Sequence, residues 1–227
     1  MSLTVLLVLI NVVVFLAEMG TGGLDGPLVA AGVLDGQLVA TTGEWWRIVT
    51  AAFMHANLLH IAFNMIALYQ VGTIDERLYG KGRYLLLYAI SLVGSGLSVV
   101  YFDWNEPTLG ASGAIFGLFG ALVAVGVRLG ARGRALIGQV IPIIVINLVF
   151  TFSIPGISWQ AHVGGLIVGF LAGLVLFMVP SRQRAAAYAY AYPARRDVGV
   201  ETIDQPPDAG PHEEEDAPPL ELRDPRE

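Results

Sequence analysis

Long apolar runs separated by short polar segments dominate residues 1–180 of the chain. Each run is roughly 18 to 21 residues long, the length that a helix needs to cross about 30 Å of hydrocarbon. The pattern therefore predicts an all-α membrane protein with six spans. By hydropathy these spans fall near residues 2–19, 53–72, 83–102, 111–128, 134–153 and 159–179.

Composition agrees with a polytopic membrane protein and excludes several classes of function. Hydrophobic residues make up 55% of the chain and charged residues only 14%, a balance that is not typical of a soluble domain. The 27 glycines suit close helix packing in lipid. The lack of cysteine excludes disulfides, thiol catalysis and cysteine metal sites, and the sequence has no basic surface for nucleic acid.

Basic residues cluster on one side of the predicted bundle and indicate its orientation. Three follow the second span, three follow the fourth and six follow the sixth, whereas Arg47 lies in a loop on the opposite side. The positive-inside rule then places both termini in the cytoplasm and the loops at residues 20–52, 103–110 and 153–158 outside. The first span lacks a basic leader and a clear cleavage site, so we predict a retained helix.

Residues 181–227 differ in composition from the rest of the chain. This segment is rich in Ala, Tyr and Arg at first, then acidic and proline-rich, with an acidic run at residues 213–216. Such a composition cannot bury enough apolar surface to fold. We therefore predict a six-span core over residues 1–180 and a disordered cytoplasmic tail over residues 181–227.

Four polar residues inside predicted spans are candidates for function, because burying polar groups in lipid is costly. His60 and Asn64 lie in span two, Ser112 in span four and His162 in span six. All three spans run from outside to inside. Counting from their inner ends places Ser112 and His162 in the first outer turns and the other two residues about two turns down. The four side chains should therefore converge in the outer third of the membrane.

The chemistry of this cluster predicts an activated serine. Ser112 lies in Gly110-Ala111-Ser112-Gly113 at a loop-to-helix junction, where free backbone N–H groups can stabilise an anion. His162 can take the hydroxyl proton as Ser112 attacks a carbonyl, then return it to the leaving amine. His60, Asn64 and the Ser112 N–H are suitable donors to an oxyanion. We expect no Asp or Glu at that depth, and therefore predict a Ser–His dyad.

Glycines repeat every four residues on one face of span four and on one face of span six: Gly113, Gly117, Gly165, Gly169 and Gly173. Small residues at this spacing let two helix backbones approach closely. We expect the two faces to pack together and to bring Ser112 beside His162.

At these residues the sequence resembles the rhomboid family of intramembrane serine proteases, over roughly residues 3–180. The Gly-x-Ser-Gly element of that family matches residues 110–113, and its His-x-x-x-Asn element matches His60 to Asn64. His162, followed by small residues, resembles the histidine of its last core helix. The resemblance implies a six-transmembrane-helix rhomboid bundle with Ser112 as nucleophile and His162 as base. It also implies an oxyanion and substrate-binding site at His60, Asn64 and Gly110.

Several further positions match the family. Trp46-Arg47 resembles a pair in its first outer loop, and Glu76-Arg77 resembles an element after its second helix, which we interpret as a cytoplasmic structural contact. His55 matches another family histidine, which we interpret as an interfacial residue or a helper in substrate binding. Phe116 stands where some members carry Tyr, and an aromatic ring here can still pack against His162.

The resemblance also implies the reaction. Rhomboids cleave transmembrane segments of other membrane proteins near the outer face, often after a small residue, and need no metal or cofactor. Single-span or multi-span membrane proteins in the lipid bilayer would then be the substrates. We expect a substrate helix to enter beside span five, past Phe150, Phe152 and Ile154. The short N-terminus favours a multi-pass protein of a prokaryotic plasma membrane.

Three other functions stay open at this point. A catalytically inactive rhomboid-like protein that binds membrane clients would typically lack the serine or the histidine, and both are present here. A transporter would carry charged relays or broken helices at the midplane, where this chain has almost no charge. A metal site built from His55, His60 and His162 has no carboxylate or cysteine at helical spacing to complete it.

Overall fold

The computed structural model describes residues 1–103 and 106–178, and the predicted tail at residues 181–227 lies outside them. Within this part of the chain the all-α prediction is confirmed, since the β-type pairing there is one isolated bridge between Leu34 and Thr108. The described residues form nine α-helices, with short 3-10 turns between some of them: α1 (Leu3–Gly20), α2 (Pro27–Gly32), α3 (Gly36–Thr42), α4 (Arg47–Thr50), α5 (Leu58–Tyr79), α6 (Lys81–Phe102), α7 (Ser112–Leu129), α8 (Arg134–Ser153) and α9 (Trp159–Leu176).

Four helical segments of the described residues are long and apolar enough to cross a membrane. They are α1, α6, α9 and the segment Ser112–Ser153, which contains both α7 and α8. A fifth span is present if Arg47–Phe53 and α5, which meet at 95°, are counted as one broken span. This count of four or five differs from the predicted six because the 3-10 turn Gly130–Gly133 joins α7 to α8 without a non-helical gap.

Helix α5 begins and ends later than the second predicted span, which covered residues 53–72. The helix begins after Asn57, whose side-chain carbonyl accepts the His60 backbone N–H at 2.9 Å and caps the first turn. It continues past Glu76, which hydropathy assigns to a loop. His60 consequently lies in the first turn of α5, and the prediction that it lies two turns down is wrong.

Helices α7 and α9 lie at the centre of the bundle and touch along their glycine faces. A Cβ atom at Gly165 would collide with the carbonyl oxygen of Gly113, and one at Gly169 would collide with that of Gly117. The predicted packing of the two glycine faces is confirmed. Because the backbones approach so closely, the N-terminal ends of the two helices are held side by side.

Glu76 of α5 caps the beginning of α1. Its carboxylate accepts the backbone N–H groups of Leu3 at 2.9 Å and of Thr4 at 3.0 Å, together with the hydroxyls of Ser2 and Thr4. The first N–H groups of a helix lack intrahelical partners, so a carboxylate there satisfies them and complements the helix dipole. The predicted structural contact is confirmed for Glu76, whereas Arg77 is exposed.

The segment between α1 and α5 is ordered around the buried side chain of Arg47. This guanidinium donates to the carbonyl oxygens of Ala30 at 3.0 Å and Val33 at 2.9 Å, and it pairs with Glu44. The 3-10 turn after α4 then positions the loop before α7, because the carbonyl of Ala51 accepts the Gly110 N–H at 2.9 Å. These loop contacts thereby fix the backbone next to Ser112.

Candidate active site

Ser112 and His162 are hydrogen-bonded to each other. Ser112 is the first residue of α7 and His162 is the fourth residue of α9, as expected from the predicted spans. The Oγ of Ser112 lies 2.8 Å from Nε2 of His162, which is 8% exposed. This is the distance that proton transfer from the hydroxyl to the ring requires.

Phe116 lies one turn below Ser112 and stacks on His162. The ring centroids are 4.3 Å apart and the planes are inclined by 16°. The expected packing of an aromatic ring at this position is confirmed. The contact holds the plane of the imidazole ring against α7, so that Nε2 points at the serine.

Thr151, near the end of α8, contacts the other ring nitrogen of His162. Its Oγ1 lies 2.7 Å from Nδ1, and the residue is 4% exposed. Sequence reasoning missed this residue. A hydroxyl near the C-terminal end of an otherwise apolar span was the available signal, since that end of α8 lies beside the N-terminal end of α9.

His60 approaches Ser112 from α5. The Ala56 N–H donates to Nδ1 of His60 at 3.3 Å, so the ring carries its proton on Nε2. A Cβ atom at Gly110 would lie 3.0 Å from that Nε2 and 3.7 Å from Ser112 Oγ. His60 Nε2 and Ser112 Oγ therefore both lie beside Gly110. Glycine is required at position 110 for two reasons. A Cβ atom would crowd the His60 ring, and the backbone has φ +126°.

Asn64 lies one turn below His60 and is buried. Its Nδ2 donates to the His60 carbonyl oxygen at 2.9 Å. A side-chain amide carries two N–H groups, so the second remains for another acceptor. The structure thus places Asn64 beneath His60 on the helix that also presents His60 to the site.

His55 forms a second layer behind His60. It is 1% exposed and its ring lies edge-on to that of His60, with centroids 5.2 Å apart. The carboxylate of Glu18, at the end of α1, accepts the His55 backbone N–H at 3.2 Å. The expectation of no carboxylate at this depth is therefore wrong. Glu18 lies within the first apolar run, so hydropathy did not single it out. Its carboxylate contacts the backbone of His55.

The beginning of α7 leaves backbone donors beside Ser112. Ala111 occupies the N-cap position and its side chain makes no capping hydrogen bond. The first N–H groups of the helix are consequently available to an oxyanion. A small cavity of about 30 Å³, room for one or two water molecules, adjoins Ser112 and is lined partly by Ser95, Gly96 and Ala161.

Within residues 1–103 and 106–178, no three His, Asp or Glu side chains come close enough together to hold a metal ion. Of the three histidines considered for a metal site, His55 and His60 contact each other edge-on, and His162 is hydrogen-bonded to Ser112 and Thr151.

Comparison with known proteins identifies relatives over most of the chain. The model of the Rhomboid domain matches residues 42–179. The chain is 44% identical to Rhomboid protease GluP of Bacillus subtilis over 165 residues, which cover 71% of this chain and 32% of that protein. It is 30% identical to Rhomboid protease AarA of Providencia stuartii over 215 residues, 82% of this chain and 76% of that protein.

A plant relative also matches. RHOMBOID-like protein 1 of Arabidopsis thaliana is 35% identical over 172 residues, which cover 73% of this chain and 44% of that protein. The chain thus spans about a third of the Bacillus relative and about three quarters of the Providencia one. The domain match covers more than half of the chain. The chain therefore belongs to the rhomboid family and is a multi-pass integral membrane protein.

Proposed function

We propose that this protein is an intramembrane serine endopeptidase that hydrolyses peptide bonds in or near transmembrane segments of membrane-protein substrates. The observation that carries the proposal is the 2.8 Å contact between Ser112 Oγ and His162 Nε2. Two relatives of this chain are named as rhomboid proteases, which supports the same activity.

In the first half of the reaction, Ser112 attacks the scissile carbonyl carbon while its hydroxyl proton passes to Nε2 of His162. The carbonyl π electrons move to oxygen and form a tetrahedral oxyanion. Collapse of that intermediate breaks the C–N bond, and His162 gives the proton to the departing amine. An acyl-enzyme on Ser112 remains.

In this proposal three donors stabilise the oxyanion: the Nε2–H of His60, the second side-chain N–H of Asn64 and the backbone N–H of Ser112. The proton position on His60 and the uncapped first turn of α7 support this assignment of donors. Preorganised donors of this kind contribute about 10²- to 10³-fold each to kcat. Gly110 leaves room for the His60 ring beside them.

In the second half, a water molecule loses a proton to His162 and attacks the acyl carbon, and Ser112 leaves with that proton restored to its Oγ. The cavity beside Ser112 has room for such a water. Its small volume also suits a small substrate side chain next to the cleaved bond.

We further propose that α7 and α8 cross the bilayer separately, which makes six spans in a core of residues 1–180. Gly126 of α7 and Gly133 before α8 touch through their backbones, as expected of a helical hairpin. Both termini then lie in the cytoplasm of a prokaryotic cell, with the tail of residues 181–227 on the same side, because the basic residues follow the inner ends of the spans.

The test is cleavage of a single-span substrate in proteoliposomes. The wild type should cut within the outer part of the substrate helix, whereas Ser112→Ala and His162→Ala should fall to background while keeping the wild-type unfolding temperature. Matched controls are Ser153→Ala, an exposed serine at the end of α8, and His212→Ala in the tail. Both should cut like the wild type.

Two outcomes would contradict the proposal. If Ser112→Ala cut as fast as the wild type, another nucleophile would be responsible. If the wild type cut nothing and a fluorophosphonate failed to label Ser112, the inactive client-binding function would be favoured. Labelling of Ser112 without cleavage would point to an unsuitable substrate and retain the nucleophile.

A further inference from the structure

The hydroxyl of Thr151 bridges two helices at the candidate site. Its Oγ1 lies 2.8 Å from the carbonyl oxygen of Asn147, one turn earlier on α8, and 2.7 Å from Nδ1 of His162 on α9. Both Thr151 and His162 are buried. A hydroxyl has one proton to donate and two lone pairs that accept, so it can donate to only one of these partners.

The carbonyl oxygen of Asn147 is an acceptor and cannot donate. When the hydroxyl proton goes to that carbonyl, Nδ1 must carry the ring proton and donate it to Oγ1. Nε2 is then unprotonated and accepts the hydroxyl proton of Ser112. This arrangement makes three hydrogen bonds along one chain: Ser112 to His162, His162 to Thr151 and Thr151 to Asn147.

The opposite tautomer makes fewer hydrogen bonds. With the ring proton on Nε2, Thr151 would have to turn its hydroxyl proton to Nδ1 and give up the Asn147 carbonyl. Nε2 would donate to Ser112 Oγ, and the serine hydroxyl proton would lose its acceptor. Three bonds become two, and the loss of a hydrogen bond in this largely buried site costs free energy. The contacts of Thr151 therefore favour the tautomer with the proton on Nδ1.

We propose that Thr151 is a positioning residue for His162, holding the ring proton on Nδ1 so that Nε2 faces Ser112 as a proton acceptor. The inference rests on the proposed function, in which His162 is the base. Thr151 contacts Nδ1 of His162 rather than Nε2, the nitrogen that contacts Ser112, so it acts through the ring. It orients the ring as the carboxylate does in a Ser-His-Asp triad. A neutral hydroxyl avoids the desolvation cost of a carboxylate buried at this site.

The test compares variants at Thr151 by kinetics and by nitrogen NMR. Thr151→Val keeps the shape of the side chain and removes the hydroxyl, whereas Thr151→Ser keeps the hydroxyl. The matched control is Thr73→Val, because Thr73 on α5 also donates to its own helix, at the Tyr69 carbonyl, yet lies away from the site. Each protein is assayed on a single-span substrate in proteoliposomes, and its ¹⁵N-labelled histidines are observed above the ring pKa.

We expect Thr151→Val to lower kcat about tenfold with little change in KM, as for the loss of one neutral hydrogen bond in a buried site. Thr151→Ser should stay within about twofold of the wild type, and Thr73→Val should be unchanged. The His162 resonances, assigned by their loss in His162→Ala, should show one tautomer protonated on Nδ1 in the wild type and in Thr151→Ser. Thr151→Val should show a mixture.

A wild-type spectrum with the proton on Nε2 would overturn the inference, whatever the kinetics. So would a Thr151→Val protein that keeps both the Nδ1 proton and the wild-type kcat. NMR identifies the tautomer without any substrate cleavage. The positioning role of Thr151 and the proteolytic function can therefore be overturned independently. A wild type that shows the Nδ1 proton but neither cleaves the substrate nor reacts with a fluorophosphonate at Ser112 retains the positioning by Thr151 and overturns the proteolytic function.

Discussion

The ring of Phe116 lies flat against the ring of His162, with centroids 4.3 Å apart and planes inclined by 16°. Two rings in contact over their faces restrict each other's rotation. Phe116 is itself fixed by an edge-on contact with Phe119, whose ring centroid is 6.3 Å away. The orientation of the imidazole thus depends on packing within α7 as well as on hydrogen bonds.

Replacing Phe116 should separate these contributions. Phe116→Leu removes the aromatic face and should lower kcat by about three- to tenfold, in line with about 0.5–1.5 kcal/mol for an aromatic pair. Phe116→Tyr keeps the ring and should remain within about threefold of the wild type. The measurement is substrate cleavage in proteoliposomes. Equal kcat for the leucine and tyrosine variants would show that stacking does not orient His162.

The contact between α7 and α9 should tolerate no added carbon. Gly169→Ala places a methyl group against the Gly117 carbonyl, where the backbone cannot yield, and should destabilise the protein by about 1–3 kcal/mol. The matched control is Gly138→Ala on α8, where a Cβ atom meets nothing within 4 Å. Thermal unfolding in detergent micelles measures both. Equal unfolding temperatures for the two variants would contradict close packing of the glycine faces.

Glu76→Gln should loosen the beginning of α1. The carboxylate accepts four donors from the first residues of that helix, and an amide offers one oxygen and turns an N–H toward them. We expect a loss of about 1.5–3 kcal/mol, the usual range for hydrogen bonds to a charged group. Faster hydrogen exchange at the amides of Leu3 and Thr4 should accompany it. The control is Glu106→Gln in an exposed loop, and equal exchange in both variants would refute the capping role.

The outer loop should lose stability in acid. Hydrogen bonds from the Arg47 guanidinium and then from the Thr42 hydroxyl hold the pKa of Glu44 below its usual value of 4.5. A carboxyl with a lowered folded pKa stabilises the fold fully above its unfolded pKa, and this contribution is lost as the pH falls through the folded pKa. Wild type should therefore unfold at a higher temperature than Glu44→Gln near neutral pH, and the difference should vanish in acid. A difference in unfolding temperature that persisted in acid would mean that protonation of Glu44 does not remove this contribution.

Substrate entry beside α8 makes a prediction about cross-linking. Phe150, Phe152 and Ile154 are exposed at the outer end of this helix. The chain has no cysteine, so a pair introduced into α5 and α8 forms the one disulfide available. The oxidised protein should stop cutting a transmembrane substrate and recover on reduction, while fluorophosphonate labelling of Ser112 continues. Undiminished cleavage by the oxidised protein would exclude entry between these helices.

Local patterns were sufficient for most of the fold. The boundaries of α1, α6, α7, α8 and α9 follow from the extent of the apolar runs, and each agrees with its predicted span within about three residues. The predicted bounds of the second span were wrong because hydropathy scores each residue separately. A hydropathy score does not include the capping of α5 by Asn57. Nor does it include the hydrogen bonds to the beginning of α1 that keep Glu76 within α5.

The sequence by itself determined which residues are candidates at the site. A serine at a helix start, a histidine among glycines and a His-x-x-x-Asn pair are local features, and the direction of each span places them at one end of the bundle. Only the tertiary structure decided which atoms meet. The proton placements on His60 and His162 depend on Ala56 and Thr151, and the contact of Thr151 is made across two helices. Such contacts depend on how the packed helices are positioned relative to one another. The spacing of residues along one helix does not specify that position.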